Sequence, residues 1–241
     1  MGDPLQAIYA FRGAHEHSMG ELAAMFKMTE YKLTTSFRCA ENIVKHVQHI
    51  ATDMKWAEGA PQGEISYKAD WLLDEIEQDT AVLCRNNAPL FLLNSIMFAE
   101  GINAEFVGHD IVRMLSRDIK KFGPRSMGQA DVMAAIEDWQ RKSRIRNPHV
   151  RRDRADSMKV IALQGRDLGA MLAYLRHMQY ADGRIKLMTV HKAKGLEFQR
   201  VYILDQELIG RGGQEQNIAY VAKTRAREYL TYLDSSQLRL S

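Results

Sequence analysis

Apolar positions along the 241-residue chain switch between a helical and a strand period. Met19, Leu22, Ala23 and Phe26 fall at i, i+3, i+4 and i+7, which predicts a short amphipathic helix over residues 19–26. Tyr31-Lys32-Leu33 reads as a strand. Ile43, Val47 and Ile50 line a helix over about 39–54, which the turn-forming stretch Gly59-Ala60-Pro61-Gln62-Gly63 breaks. Strands and helices then alternate, with strands over 64–68, 80–84 and 105–107 and helices over 71–76 and 90–99. That alternation predicts a parallel sheet with crossover helices. From about Ile111 to Gly183 the pattern is helical only, clearest over 132–139 and 168–178. Strands return at 185–190 and 201–204, a helix follows over 215–225, and a strand over 229–233 closes the sheet. The pattern describes an α/β fold interrupted by a small helical insertion, with no internal repeat.

Composition adds boundaries to this picture. With 46% apolar and 26% charged residues the chain has the make-up of a globular protein that buries a core. A net charge of +3 is too small to mark a nucleic-acid binder, so local clustering must carry that argument. The clearest cluster runs from Arg141 to Arg154, seven basic residues against one acid, and reads either as a duplex-contacting patch or as a solvated charged loop. Cys39 and Cys84 each lie in an apolar stretch, which suits buried thiols in a reducing compartment. No apolar run has the length of a membrane span and no signal-peptide pattern opens the chain, so no membrane partner and a cytoplasmic location are expected. No metal-ligand spacing is seen.

Four separated stretches carry chemistry. They are Gly2-Asp3-Pro4-Leu5-Gln6-Ala7-Ile8-Tyr9-Ala10-Phe11-Arg12-Gly13-Ala14, Thr35-Ser36-Phe37-Arg38, Leu187-Met188-Thr189-Val190-His191-Lys192-Ala193-Lys194-Gly195-Leu196-Glu197-Phe198 and Tyr220-Val221-Ala222-Lys223-Thr224-Arg225-Ala226. In this order and spelling they resemble motifs III to VI of the UvrD/Rep-type superfamily 1 DNA helicases. The resemblance covers about residues 2–53 and 79–233, and the insertion only loosely. It implies a RecA-like parallel sheet flanked by helices, the second motor domain, carrying a small helical insertion. No G-x-x-x-x-G-K-[ST] phosphate loop occurs, and no apolar run ending in Asp-Glu precedes Gly2. A first motor half is therefore expected upstream or on another polypeptide. Residues 1–30 would be the tail of that first domain, 31–110 and 184–241 the two parts of the second, and 111–183 the insertion, which is short for the family.

The resemblance assigns roles that spacing alone leaves open. Ile218, Val221, Ala222 and Arg225 share one helical face, which equally suits an arginine snorkelling from the end of a core helix. By resemblance to motif VI, Arg225 is an arginine finger. Arg38 sits between a strand and a helix, as a surface-loop arginine also would. It corresponds to the motif IV arginine, with Ser36-Phe37 in place of the usual Asn-Tyr. Gln6 corresponds to the motif III glutamine that senses the γ-phosphate and attacking water, a role suited to an amide that both donates and accepts. Glu197, with Gly195 beside it, aligns with the motif V contact to the nucleotide sugar. Tyr9, Phe11 and Arg12 alternate as a half-buried strand would. They resemble the base-contact segment of motif III, which suits single-stranded DNA because exposed aromatic faces stack bases. Thr189 and His191 close an apolar strand, where open parallel sheets place ligands, and resemble the element that couples DNA to nucleotide.

The expected function is the C-terminal motor portion of an ATP-dependent DNA helicase in repair or replication. It would use ATP and Mg²⁺ held mainly by the other half, with single-stranded DNA and a fork duplex as partners. The alternatives are a split-gene subunit that needs a separate phosphate-loop partner, and a non-catalytic DNA-binding relic.

Overall fold

A computed structural model describes residues 2–9 and 18–238. Its centre is a six-stranded, all-parallel sheet of β3 (Glu64–Lys68), β4 (Thr80–Cys84), β5 (Ala104–Phe106), β6 (Ile185–Thr189), β7 (Phe198–Leu204) and β8 (Ala226–Leu233). The spatial order is β3-β8-β7-β4-β6-β5, and a two-residue parallel pair, β1 (Thr35–Ser36) with β2 (Lys55–Trp56), stands apart. Helices cover both faces, so the inner strands are apolar on both sides and read as continuous runs. In β4, Val82 and Cys84 enter one core while Ala81 and Leu83 enter the other, and in β7 Tyr202 and Leu204 divide likewise from Val201 and Ile203. The RecA-like α/β expectation holds at this level.

One face is covered by α3 (Ala88–Ala99) and by four helices inserted between β5 and β6: α4 (His109–Ile119), α5 (Gln129–Lys142), α6 (Pro148–Ala162) and α7 (Leu168–Tyr180). The insertion is tied to the sheet by Asp153 of α6. Its carboxylate accepts the backbone N–H groups of Asn87 and Ala88, at 2.8 and 2.9 Å, and the Asn87 side-chain amide at 2.8 Å. These are orphan donors at the start of α3, satisfied from a distant helix. The other face carries α2 (Glu41–Val47), α8 (Val190–Ala193), α9 (Gly213–Lys223) and the N-terminal segment, whose Ile8 is fully buried.

Several sequence expectations change. The helix expected over 19–26 is α1 (Ser18–Met25), but Met19, Leu22, Met25 and Phe26 face outward. Residues 31–33 form no strand: Tyr31 and Leu33 are almost fully exposed and have no strand partner among the described residues. The helix expected over 39–54 ends at Val47 and continues as turns, and that expected over 71–76 shrinks to a 3-10 turn, Leu73–Glu75. Trp71 and Ile76 instead anchor the latter segment in the core, with the Trp71 indole N–H donating to the Asp234 carbonyl at 2.8 Å. Most of the basic run is helical: Arg141 and Lys142 end α5, Asn147 caps α6 through its side chain, and Pro148 starts it.

His46 of α2 pairs with the Tyr232 hydroxyl at 2.7 Å. Burial, then the charges of Lys223 and His49, pull its pKa down to about 4. A pKa depressed in the fold means the unfolded chain takes up the proton first, so stability is full above about pH 6.5 and is lost progressively as pH falls toward 4. For this partly exposed ring the loss should be about 1–2 kcal/mol. Urea unfolding of wild type and His46→Gln at pH 7 and pH 4.5 checks it. The wild type should lose more stability between the two pH values than the variant, and equal losses would exclude His46 as the source.

Candidate nucleotide and DNA site

The site residues fall in two groups, separated by the length of the strands. The first lies where β7 and β8 begin. Arg38, in the loop between β1 and α2, donates from Nε to Glu197 Oε2 at 2.5 Å and from Nη1 to the Thr224 carbonyl at 3.5 Å. Arg227 approaches the other Glu197 oxygen at 3.9 Å. The loop is held by Ser36 Oγ, which accepts the Cys39 N–H, and by the Arg227 carbonyl, which accepts the Ala40 N–H. The loop preceding β3 caps α2 through the carbonyls of Pro61 and Gln62, which accept from the N–H groups of Glu41 and Asn42.

Arg225 is the largest side chain to be fully enclosed, 1% exposed. α9 ends at Lys223, two residues before the expected limit, so Arg225 sits in the turn into β8 and not on the helix. Its Nε donates to the Val221 carbonyl at 3.0 Å, Nη1 to the Leu196 carbonyl at 2.8 Å, and Nη2 to Thr224 Oγ1 at 3.2 Å. Three of about five N–H donors are thus bound to this chain. Among the described residues no carboxylate comes within ion-pair distance of Arg225. Burial, and then the positive charge of Arg38, lowers its pKa from the usual arginine value, as expected of a cation held without a counter-ion. A buried guanidinium with open donors and no carboxylate is a place where an anionic oxygen would be stabilised.

The second group lies where β6 ends. Thr189 precedes α8, and the Tyr9 hydroxyl donates to the His191 carbonyl at 2.8 Å, with the two rings 5.9 Å apart. Lys194 sits 5.3 Å from the Tyr9 ring and donates to the Gln6 carbonyl at 2.7 Å. Gly195 follows with φ +90°, a left-handed conformation that suits glycine, and turns the chain toward Glu197. Phe11 and Arg12 lie outside the described residues.

Residues 3–9 join the two groups by running along α9. Asp3 lies beside Tyr220, whose pKa is pushed up to about 12 by burial and then by the Asp3 charge. Further along, Asn217 and Gln214 donate to the Ala7 carbonyl at 3.2 and 3.4 Å. Gln6 does not meet either arginine, because its amide donates to Asp3 Oδ2 at 2.9 Å. The sequence reading missed Asp3 and Tyr220 as parts of this contact. It also missed Arg85, which clamps Glu215 at 2.9–3.3 Å and holds the start of α9 to the end of β4. Asp3-Pro4, a side-chain-capped turn signal, was the one local clue.

Residues 171–237, which span β6 to β8, match the UvrD-like helicase C-terminal domain family. That match, the motif order and the parallel sheet support a UvrD-type C-terminal half. Over 280 aligned positions it is 22% identical to the Gabija protein GajB of Bacillus cereus (strain VD045), covering 95% of this chain and 56% of that protein. It is 32% identical over 95 residues to the putative ATP-dependent DNA helicase YjcD of Bacillus subtilis (strain 168), covering 30% of this chain and 12% of that one. It is also 34% identical over 94 residues to DNA helicase II of Escherichia coli (strain K12), covering 31% and 13%. The chain thus spans about half the length of GajB and a small part of the two helicases. No helix among the described residues is long and apolar enough to cross a membrane.

Proposed function

We propose that this chain is the second motor domain of an ATP-driven DNA helicase or translocase, with residues 1–30 the tail of the first domain. Arg38 and Arg225 serve as the arginines that meet a nucleotide held by the first domain, Gln6 as the sensor of its terminal phosphate, and Glu197 and Gly195 as the edge nearest its sugar. Tyr9, Phe11, Arg12, Thr189 and His191 form the single-stranded DNA surface. A fork duplex is the further partner, and 111–183 is a reduced insertion.

The observation that carries this reading is Arg225, a buried cation with open donors and no carboxylate in reach among the described residues. A relic with no anion to bind has no physical reason to keep a buried cation with donors left open. ATP bound there would supply a developing negative charge, and Arg38 and Arg225 would orient and stabilise it. The Mg²⁺ that accompanies the nucleotide is assigned in this reading to the first motor domain. Coupling also gains a route. The segment that carries Gln6 and Tyr9 lies along α9, so a shift of α9 at Tyr220 would be felt at His191.

The outward apolar side chains of α1, together with Met28, Tyr31, Leu33 and Phe37, suit a surface that the first motor domain covers. The reconstituted pair is the test. A polypeptide of these 241 residues should not accelerate ATP hydrolysis, whereas joined to a phosphate-loop domain it should show DNA-stimulated turnover. Turnover by the 241 residues alone, or none in any joined form that binds nucleotide, would refute the proposal.

A further inference from the structure

The basic run of the insertion is distributed over both faces of α5, where it packs on α6. On one face a solvent-open cavity of about 760 Å³ is walled by Phe122 and Trp139 and ringed by Lys121, Lys142, Arg144 and Arg154. That volume lies within the range of about 300–1,000 Å³ typical of sites for small organic groups. The only carboxylate on its wall is Asp138, already engaged by Lys142 at 2.8 Å. Arg154 pairs with Asp118 and lies 5.3 Å from the Trp139 ring, while its buried Nε has no hydrogen-bond partner. Among the described residues no carboxylate pairs with Lys121 or Arg144. On the opposite face of α5 a second cavity of about 470 Å³ is lined by Arg141, Arg151 and Lys159, with Glu137 and Gln140.

We infer that the α5–α6 corner is a second binding site for single-stranded nucleic acid, separate from the Tyr9 and His191 surface. One unpaired base lies against Trp139 and Phe122, its neighbouring phosphates meet Lys121 and Arg144, and the strand continues across α5 to Arg141, Arg151 and Lys159. An aromatic wall needs an exposed base face, which a duplex keeps stacked inside. A lone nucleotide would fill the first cavity and leave the like-charged second one without a ligand. A polyanion lacking bases would make no use of the aromatic wall.

The experiment measures the affinity of the purified chain for a labelled oligothymidylate over a range of salt. Trp139→Leu should weaken binding by about 5- to 100-fold with little change in salt slope, because stacking releases no counter-ions. The paired exposed changes Lys121→Gln and Arg144→Gln should instead flatten the slope by about 1.4, at about 0.7 per single-strand phosphate. This charge pair still reads the site if Trp139→Leu misfolds. An iodouracil-substituted oligonucleotide should crosslink to the peptide that contains Trp139.

Unchanged binding by both variants, with melting curves intact, would overturn the inference. Equal binding of duplex, full competition by dTMP, or full competition by polyglutamate at matched charge would also overturn it. Those outcomes mark the ligand as double-stranded, as a free nucleotide, or as any acidic polymer. Tyr9→Ala measured alongside separates the two surfaces. No effect there removes the motif surface alone, while loss there with no Trp139 effect removes only this site.

Discussion

Arg225→Ala, in a motor completed by a phosphate-loop domain, is expected to lower kcat for DNA-stimulated ATP hydrolysis by about 10³-fold or more, while single-strand affinity changes little. The same substitution strips donors from the Val221 and Leu196 carbonyls, so a stability loss of about 1–3 kcal/mol should accompany it. Thermal melting separates the two effects, because a folded but inactive variant has lost charge at the transition state. Arg225→Lys should rescue poorly. The guanidinium reaches three acceptors in different directions at once, and a single ammonium on a shorter head cannot keep those contacts and also face a phosphate. Wild-type turnover by Arg225→Ala would reduce Arg225 to a structural arginine at the edge of the core.

Gly63→Ala should be strongly destabilising. Gly63 has φ +70°, and an added Cβ would stand 2.5 Å from Ala40 Cβ and 2.8 Å from the Glu228 carbonyl oxygen. Neither neighbour is the end of a flexible side chain, so backbone must move. Its own carbonyl accepts the Asn42 amide at 3.0 Å, so the cap of α2 moves with it. Left-handed strain and overpacking together should cost about 3 kcal/mol or more. For a chain of this size that lowers Tm by roughly 6–12 °C, measurable by calorimetry. Ala40 follows Arg38 and Cys39, so the variant should also loosen the Arg38–Glu197 contact. An unchanged Tm would mean that the loop yields freely and does not position Arg38.

The sheet strands were the most legible part of the chain. β4, β6, β7 and β8 appear in the sequence as short, largely apolar runs, because strands covered on both faces need apolar side chains over most of their length, whereas the edge strand β3, Glu64–Lys68, showed only as alternation after a breaker. The insertion was legible as a change of period. The short elements were not. Residues 31–33 have strand-like composition yet no strand partner among the described residues, and the span 71–76 is shaped by where Trp71 and Ile76 bury, a long-range matter that local spacing does not encode. The basic run looked uniform as a string. Helix α6 divides it into Arg154, drawn inward to Asp118 and Trp139, and arginines left on the surface.

For the site, the sequence by itself determined the residue types, their order and their family resemblance, since these are properties of the string. Only the tertiary structure decided which of them meet. Arg38 and Glu197 are brought together although 159 positions apart, and Tyr9 reaches His191 across 182, because the loop before α2 packs where β7 and β8 begin and the N-terminal segment packs along α9. It also decided that Arg225 is enclosed and not on a helix face. Helical spacing assigns a direction only while the helix lasts, and α9 stops at Lys223, where the chain turns into β8 and the guanidinium folds back onto Val221 and Leu196.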